Sequence, residues 1–315
     1  MPKSLSLFAP SLLAVALSIA MSAAFAQTNP DADTTIRLGQ VPWEEVFVKN
    51  EVLAQVLTPL GYTIERLDAS LPIVLRGMAQ GDIDIFVENW LPSSASMLQP
   101  YFDAGSLTTV ASNLDEGVVY MSAVPAFVYE AGVRSMEDLQ AHRERFRGRY
   151  YGIEPGNDGN EIILEAIANN TYGLGDWQII ESSTEGMLAE VARAVRNENW
   201  IVFSGWQPHW MNITFDMRYL ADPEGIWGEE SSVDTVMNSE FMERNPNISR
   251  FFEQFRLRTE DQSQWVHGYG YEGREASDVA EEWILANTDT VLMWLEGIVS
   301  VDGEDAAEVF LASLQ

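Results

Sequence analysis

Three of the ten tryptophans follow directly on apolar runs that predict β-strands. Trp43, Trp90 and Trp206 each stand two residues beyond the end of such a run, and a loop rich in glycine and amide side chains, 154–160, follows a fourth run. Ligands of open α/β sheets bind beyond the carboxyl ends of the strands. Packing alone would explain any one of these tryptophans, and we interpret the other seven that way. The shared placement of these three favours contact with a ligand.

Three indole faces suit a ligand that carries a positive charge but has no hydrogen to donate. A quaternary ammonium group is such a ligand, and each ring face attracts it by about 2 kcal/mol or more once water is excluded. Sugars also stack on aromatic rings, but their sites need many hydrogen-bonding side chains as well. Carboxylates near two of the tryptophans, Glu45 and Glu88 among them, would add attraction for a cation. In a chain with 48 acidic residues, such neighbours are also expected by chance.

Strand-like and helical runs alternate along the chain, and these elements would position the tryptophans. The predicted strands cover 36–41, 63–67, 83–88, 150–153, 178–181 and 200–204, and the predicted helices cover 44–60, 72–80, 136–146, 161–168 and 185–197. This alternation predicts an α/β fold with parallel sheets and helices on both faces.

A long β-like run over 118–129 contains the candidate crossover between two α/β lobes, around 118–126. The chain is expected to cross back between 216 and 236. We therefore predict that 27–121 forms the first part of lobe I, that 122–220 forms lobe II, and that 221–315 completes lobe I.

The first 26 residues have the pattern of a signal peptide. Lys3 provides a positive start, 12–20 is a short apolar core, and small residues at 24 and 26 suit a signal peptidase, so cleavage is expected before Gln27. A retained membrane anchor is the alternative, and it would need about 18 or more apolar residues. The chain has no cysteine, so it can carry neither a lipid anchor on cysteine nor a disulfide. We expect a protein that is free in an exported compartment, most simply a bacterial periplasm.

The formal net charge of −30 argues against two classes of partner. A chain this acidic repels both phosphate backbones and anionic lipid head groups, so nucleic-acid and membrane-surface roles are not expected. Of its 18 basic residues only Lys3 and Lys49 are lysines. This composition suggests salty surroundings, where dissolved ions screen the self-repulsion.

Four segments resemble, in their order along the chain, the signature segments of a known family. They are Val-Pro-Trp-Glu-Glu at 41–45, Asp-Ile-Asp-Ile-Phe-Val-Glu-Asn-Trp-Leu-Pro at 82–92, Gly-Ile-Glu-Pro-Gly-Asn-Asp-Gly-Asn at 152–160 and Ser-Gly-Trp-Gln-Pro-His at 204–209. The family is that of the periplasmic solute-binding proteins of ABC transporters for choline and glycine betaine. The segment at 294–303 is similar to the tail of its choline-binding branch, and the resemblance covers 35–315.

The resemblance implies a two-lobed α/β periplasmic binding protein of type II, a Venus flytrap, with a mainly parallel sheet and flanking helices in each lobe. It implies high-affinity binding of a quaternary ammonium compound and delivery to the permease of an ABC importer, by a monomer that needs no cofactor or metal and catalyses nothing. The ligand-binding residues that it implies, with Tyr120 as a fourth aromatic wall, are Trp43, Glu45, Trp90, Tyr120, Asn157, Asp158 and Trp206.

The polar end of the site bears on which ligand is bound. Choline binders of the family have an aspartate at the position of Glu45, where it accepts the ligand hydroxyl, and Asn157 matches a family asparagine that contacts the same end. Asp158 could contact the ligand or cap the helix that follows. An ionised Glu45 would accept from choline and repel the carboxylate of betaine, whereas free N–H groups at that helix start could receive the carboxylate. We favour choline.

Two other interpretations stay open. The chain could be an exported enzyme that acts on a choline-like substrate, or it could bind another methylated onium osmolyte. An enzyme would need a nucleophile or metal at the strand ends, where aromatic and amide side chains stand instead. The G-x-G-x-x-G pattern at 268–273 lacks a preceding strand, so we interpret it as a turn. The three histidines have no metal-site spacing.

Overall fold

The computed structural model describes residues 28–315, and the expected signal peptide lies outside the described residues. Its strands form two separate five-stranded sheets. In chain order they are β1 Thr35–Gln40, β2 Thr63–Asp68, β3 Ile85–Leu91, β4 Leu107–Leu114, β5 Val119–Pro125, β6 Arg149–Tyr151, β7 Gln178–Ile180, β8 Phe203–Gln207, β9 Met217–Tyr219 and β10 Ser232–Asn238.

Helices flank both sheets. They are α1 Glu44–Leu57, α2 Leu71–Gln80, α3 Ala95–Asp103, α4 Ala126–Glu130, α5 Arg143–Phe146, α6 Asp158–Ala168, α7 Thr184–Arg196, α8 Met211–Thr214, α9 Ser239–Arg244, α10 Pro246–Gln254, α11 Thr259–Val266, α12 Ala276–Ala286, α13 Thr288–Trp294 and α14 Ala306–Ser313. No helix within residues 28–315 is long and apolar enough to cross a membrane.

The two sheets have equivalent strand orders, β2-β1-β3-β10-β4 in lobe I and β7-β6-β8-β5-β9 in lobe II. We name the lobes by these sheets. The chain enters lobe II between β4 and β5 and returns between β9 and β10, and most of the predicted crossover run, 118–126, forms β5 of lobe II. The predicted boundary at 121 falls inside β5, and the lobe limits as a whole stay a prediction.

The predicted α/β class is confirmed, and each sheet is mixed and not purely parallel, since one strand runs against the other four. In lobe I, β1 is parallel to β2 and β3, whereas β10 is antiparallel to β3 and β4. In lobe II, β6 is parallel to β7 and β8, whereas β5 is antiparallel to β8 and β9. The antiparallel strand is in each case the one that arrives from the other lobe. The chain crosses between the lobes at the carboxyl ends of the parallel strands. The first strand in the new sheet therefore starts at the carboxyl ends of its neighbours and runs antiparallel to them.

Two predicted elements differ from the structure in kind. The run over 118–129 is strand only as far as Pro125, and α4 follows, because proline has no N–H to continue the strand ladder. The predicted helix over 136–146 is divided into two 3₁₀ turns and the short α5. The G-x-G-x-x-G segment, 268–273, begins in a π-helical turn, His267–Tyr271, which continues α11.

Candidate ligand-binding site

A small cavity lies between the two lobes. It contains all seven residues that the sequence predicted for the site, and one that was not predicted, Ile153. Lobe I contributes the first three of its lining residues and lobe II the rest: Trp43, Glu45, Trp90, Tyr120, Ile153, Asn157, Asp158 and Trp206.

Four aromatic side chains form most of the cavity wall, and each is 4–6% exposed. The Tyr120 ring stands edge-on to its neighbours, with its centroid 5.8 Å from that of Trp90 and 6.1 Å from that of Trp206. Trp227, which was interpreted as packing, supports the back of Tyr120 at 5.0 Å. Trp43 completes the wall from the start of α1, where it precedes Glu44.

Two of the tryptophans do not stand beyond strands, as the sequence predicted, but inside them. Trp90 belongs to β3 and pairs with Val233 of β10, and Trp206 belongs to β8 and pairs with Tyr120 of β5. The antiparallel partners extend both strands past the point where the apolar run stops. Each strand then ends just before a proline two residues after its tryptophan.

Asn157 attaches the aromatic wall to the start of α6. Its Oδ1 accepts from the Tyr120 hydroxyl at 2.8 Å, and also from the backbone N–H groups of Gly159 and Asn160. Asn157 is therefore the residue that caps α6, a role the sequence had suggested for Asp158. The Nδ2 group of Asn160 in turn donates hydrogen bonds to the backbone carbonyls of Ile153 and Glu154, and these bonds fix the loop that enters the cavity.

Glu45 is a buried carboxyl that lines the cavity. The residue is 2% exposed, and no hydrogen-bond partner reaches Oε2 within the described chain. Burial, followed by the negative charge of Glu88, raises the pKa of Glu45 well above its usual value, and Lys49 opposes the shift only in part.

Asp158 faces the same cavity from lobe II and is also 2% exposed. Its Oδ2 accepts a hydrogen bond from Ser93 of lobe I, whereas Oδ1 has no partner among residues 28–315. Burial raises the pKa of Asp158 to about 6, and the Ser93 hydroxyl opposes that rise. The sequence had offered two roles for Asp158, contact with the ligand or capping of the helix. The structure places it at the cavity, where it accepts a hydrogen bond from the other lobe.

A fully buried ion pair lies next to the cavity, and sequence reasoning missed it. Lys49 of α1 pairs with Glu88 of β3, and both side chains are 0% exposed. Glu88 also accepts from Trp90 Nε1 at 3.1 Å and from Gln262 at 3.2 Å, so it fixes the rotation of one aromatic wall. The signal available in the sequence was a single lysine on the apolar face of a predicted helix.

Further polar contacts join the two lobes around the cavity. Trp43 Nε1 of lobe I donates to Glu154 of lobe II. Glu44 of lobe I accepts from Trp210 Nε1 at 2.7 Å, and its Oε2 lies 3.2 Å from His209 Nε2. Burial lowers the pKa of His209, and its Nδ1 accepts from a backbone N–H, so a neutral imidazole presents Nε2–H to Glu44. The lobes are closed on each other in this structure.

The arrangement can enclose a small cation. Aromatic side chains and two carboxyl groups line the space, and no group of three or more His, Asp or Glu side chains in residues 28–315 could hold a metal ion. A group that carries methyls around its charge would find ring faces in place of hydrogen-bond acceptors.

Comparison with known proteins gives a consistent result. Residues 34–286 match the sequence profile of a family described as the substrate binding domain of ABC-type glycine betaine transport systems. The glycine betaine/carnitine transport binding protein GbuC of Listeria monocytogenes is 30% identical over 161 residues, which are 50% of this chain and 53% of GbuC.

Two solved structures are similar over most of the chain. An ABC-transporter choline-binding protein in complex with choline has a TM-score of 0.87 and 30% identity, over 90% of this chain and 98% of that protein. Lactococcal OpuAC in its closed form with glycine betaine has a TM-score of 0.75 and 26% identity, over 83% of this chain and 99% of that protein. The two-lobed architecture of type II binding proteins, predicted from sequence, is thereby confirmed.

Proposed function

The chain belongs to the family of substrate-binding domains of ABC-type glycine betaine transport systems, and on that basis we propose that it binds a small quaternary ammonium compound with high affinity and delivers it to the permease of an ABC importer. The proposed site is the cavity between the lobes. Its proposed ligand contacts are the residues that the sequence predicted, Trp43, Glu45, Trp90, Tyr120, Asn157, Asp158 and Trp206.

The observation that carries the proposal is the four-ring wall around the cavity between the lobes. A trimethylammonium group inside it would meet desolvated ring faces, each worth about 2 kcal/mol. Micromolar affinity corresponds to about 8 kcal/mol, which several faces can supply when the rings are already in place. Glu88 accepts a hydrogen bond from Trp90, and Tyr120 packs against the same ring, so the Trp90 ring needs little further ordering when the ligand binds.

Choline is the ligand that the polar groups support best. The eight lining residues include two carboxyl groups but no Lys, Arg or His, so a betaine carboxylate would find no cationic donor among them. The N–H groups of Gly159 and Asn160, which could have received a carboxylate, are already bonded to Asn157. A choline hydroxyl could donate to Glu45 or Asp158. The similarity to a choline complex agrees with this choice.

Glycine betaine is the second candidate. The family description and the similarity to betaine-bound OpuAC support it. Protonation of Glu45, which its raised pKa favours, would remove the repulsion between that residue and the ligand carboxylate.

We propose binding without catalysis, in an exported compartment reached through the predicted signal peptide. Incubation with choline, phosphocholine or glycine betaine should return each compound unchanged. Turnover of any of them would support the enzyme alternative instead.

Replacement of the aromatic walls tests the proposal. We expect Trp90→Ala and Trp206→Ala to weaken choline binding by about tenfold or more, since each removes one desolvated ring face. Titration calorimetry measures the affinity, and circular dichroism checks that each variant is folded. Trp200→Ala is the matched control, because that indole packs under Arg145 on lobe II, away from the cavity. Normal affinity in both cavity variants would contradict the aromatic site.

A further inference from the structure

Two carboxyl groups line the cavity, Glu45 from lobe I and Asp158 from lobe II. Each has one buried oxygen, Glu45 Oε2 and Asp158 Oδ1, that no hydrogen bond within residues 28–315 satisfies. A buried acceptor without a donor is costly, so each of these oxygens calls for a proton or for a positively charged ligand. Only one of the two carboxyl groups has its other oxygen bonded across the cavity, because Ser93 donates to Asp158 Oδ2.

The charges around Glu45 leave little room for a further negative charge. Lys49 is the cation on its own helix, and it is already paired with Glu88 of the neighbouring strand. The other titratable groups that face the cleft around it, on its own helix and on the loops and strands packed against it, are Glu44, Tyr120, Glu154, Asp158 and His209. None of these is a free cation, because burial keeps His209 neutral and the other groups are acids that can only be neutral or negative.

We propose that Glu45 determines ligand specificity by exchanging a proton for ligand charge, so that the complex with a zwitterionic betaine holds one more proton than the complex with the choline cation. This inference rests on the proposed function. In the betaine complex the protonated Glu45 donates to the ligand carboxylate. In the choline complex the ionised Glu45 accepts from the ligand hydroxyl, and the proton goes to solvent.

The exchange of the two ligands balances in charge. Choline displaces betaine from the site in which Glu45 is protonated. The products are the site with ionised Glu45 and bound choline, free betaine, and one proton in solution. The ligand in the cavity gains one positive charge, the side chain loses one proton, and the buried space keeps the same total charge. This exchange is preferred because a net charge inside a cavity without water is energetically costly. The raised pKa of Glu45 agrees with a carboxyl that holds its proton until a cation arrives.

Two consequences can be measured with choline and glycine betaine as probes. Selectivity for choline over betaine should rise with pH, by up to about tenfold per pH unit, over the range in which Glu45 is protonated in one complex and ionised in the other. Choline that displaces bound betaine should release about one proton. Displacement calorimetry between pH 5.5 and 7.5, in two buffers of different ionisation enthalpy, measures both quantities on the same wild-type chain.

Variants assign the proton. Glu45→Gln should make the selectivity independent of pH within about twofold and abolish the proton release, whereas Glu45→Asp should restore both. Glu51→Gln is the matched control, because it removes the same charge from the same helix where the side chain pairs with Arg66 outside the cavity. It should leave both quantities unchanged. Asp158→Asn should keep the proton release.

Several outcomes would overturn the inference. Equal pH dependence for the two ligands in the wild-type chain would do so, even if Glu45→Gln failed to fold. Proton release that persists in Glu45→Gln, or that disappears only in Asp158→Asn, would assign the exchange to another group. Failure of the wild-type chain to bind either ligand at any pH would instead remove the proposed function itself.

Discussion

Asn157 shows how one side chain can couple a helix start to the wall of the cavity. Its oxygen accepts from two N–H groups of α6 and from the Tyr120 hydroxyl, which in turn lies against Gly159. The position of the Tyr120 ring therefore depends on the first turn of α6, and the absence of a side chain at Gly159 provides its space.

Gly159→Ala should damage the site but not the helix. An added Cβ would lie 2.1 Å from the Tyr120 hydroxyl oxygen and 2.5 Å from the ring carbon that carries it, so the ring must move. Alanine favours helix by about 1 kcal/mol over glycine, so α6 itself should not be weakened. We expect about tenfold weaker choline binding with little change in the thermal unfolding midpoint.

Gly77→Ala in α2 is the control for this change. Its added methyl would meet only the Ile83 side chain, at 3.2 Å, and lies in lobe I away from the cavity. Calorimetry should give wild-type affinity for that variant. Unchanged affinity in Gly159→Ala would show that the tyrosine is free to move without loss of binding.

At the scale of elements, the start of α1 divides three consecutive residues among three tasks. Trp43 donates to Glu154, Glu44 accepts from Trp210, and Glu45 faces the cavity. The contacts of Trp43 and of Glu44 both join lobe I to lobe II. The start of α1 thus lines the cavity and also contacts the other lobe.

Trp210→Phe should loosen closure without touching the cavity. It keeps an aromatic ring but removes the N–H that donates to Glu44, a hydrogen bond to an acidic group whose loss costs about 1 kcal/mol at a partly exposed site. We expect choline affinity to fall by about three- to tenfold. Small-angle scattering should show that the ligand-bound variant is still closed. Calorimetry should show its lower affinity for choline.

Trp200→Phe provides the comparison, since its ring contacts only lobe II residues, among them Phe146 and His142. It should bind choline as the wild type does. A loss of equal size in both variants would mean that tryptophan content, and not the contact between lobes, controls affinity.

The same scale shows what the sequence could and could not predict. Apolar runs and their spacing located seven of the ten strands within residues 28–315, whereas β4, β9 and β10 were not predicted. Motif similarity selected all seven predicted cavity residues. The ends of β3 and β8 were missed because they depend on β10 and β5, antiparallel partners far away in the chain. The contacts of Glu154, Trp210 and Ser93 were missed for a related reason, because each is formed only when the lobes meet.

The whole molecule carries a net charge of −30, and the fold must tolerate it. Repulsion among surface carboxylates is weakened when the screening length falls from about 30 Å at 0.01 M salt to about 3 Å at 1 M. We expect the thermal unfolding midpoint to rise by several degrees over this range of NaCl. Sucrose of equal osmolality is the control for general solute effects, and an equal midpoint at both salt concentrations would contradict the prediction.

Lys49 has a further consequence for the chemistry of the molecular surface. It is the only lysine between residues 28 and 315, and its ammonium is enclosed in the pair with Glu88. Reagents that acylate amines, and proteases that cleave after lysine, therefore find no side-chain target on the folded surface of that range. Any acylation of Lys49 must wait until the interior of lobe I opens. The rate of that modification, followed by mass spectrometry, would count these openings directly.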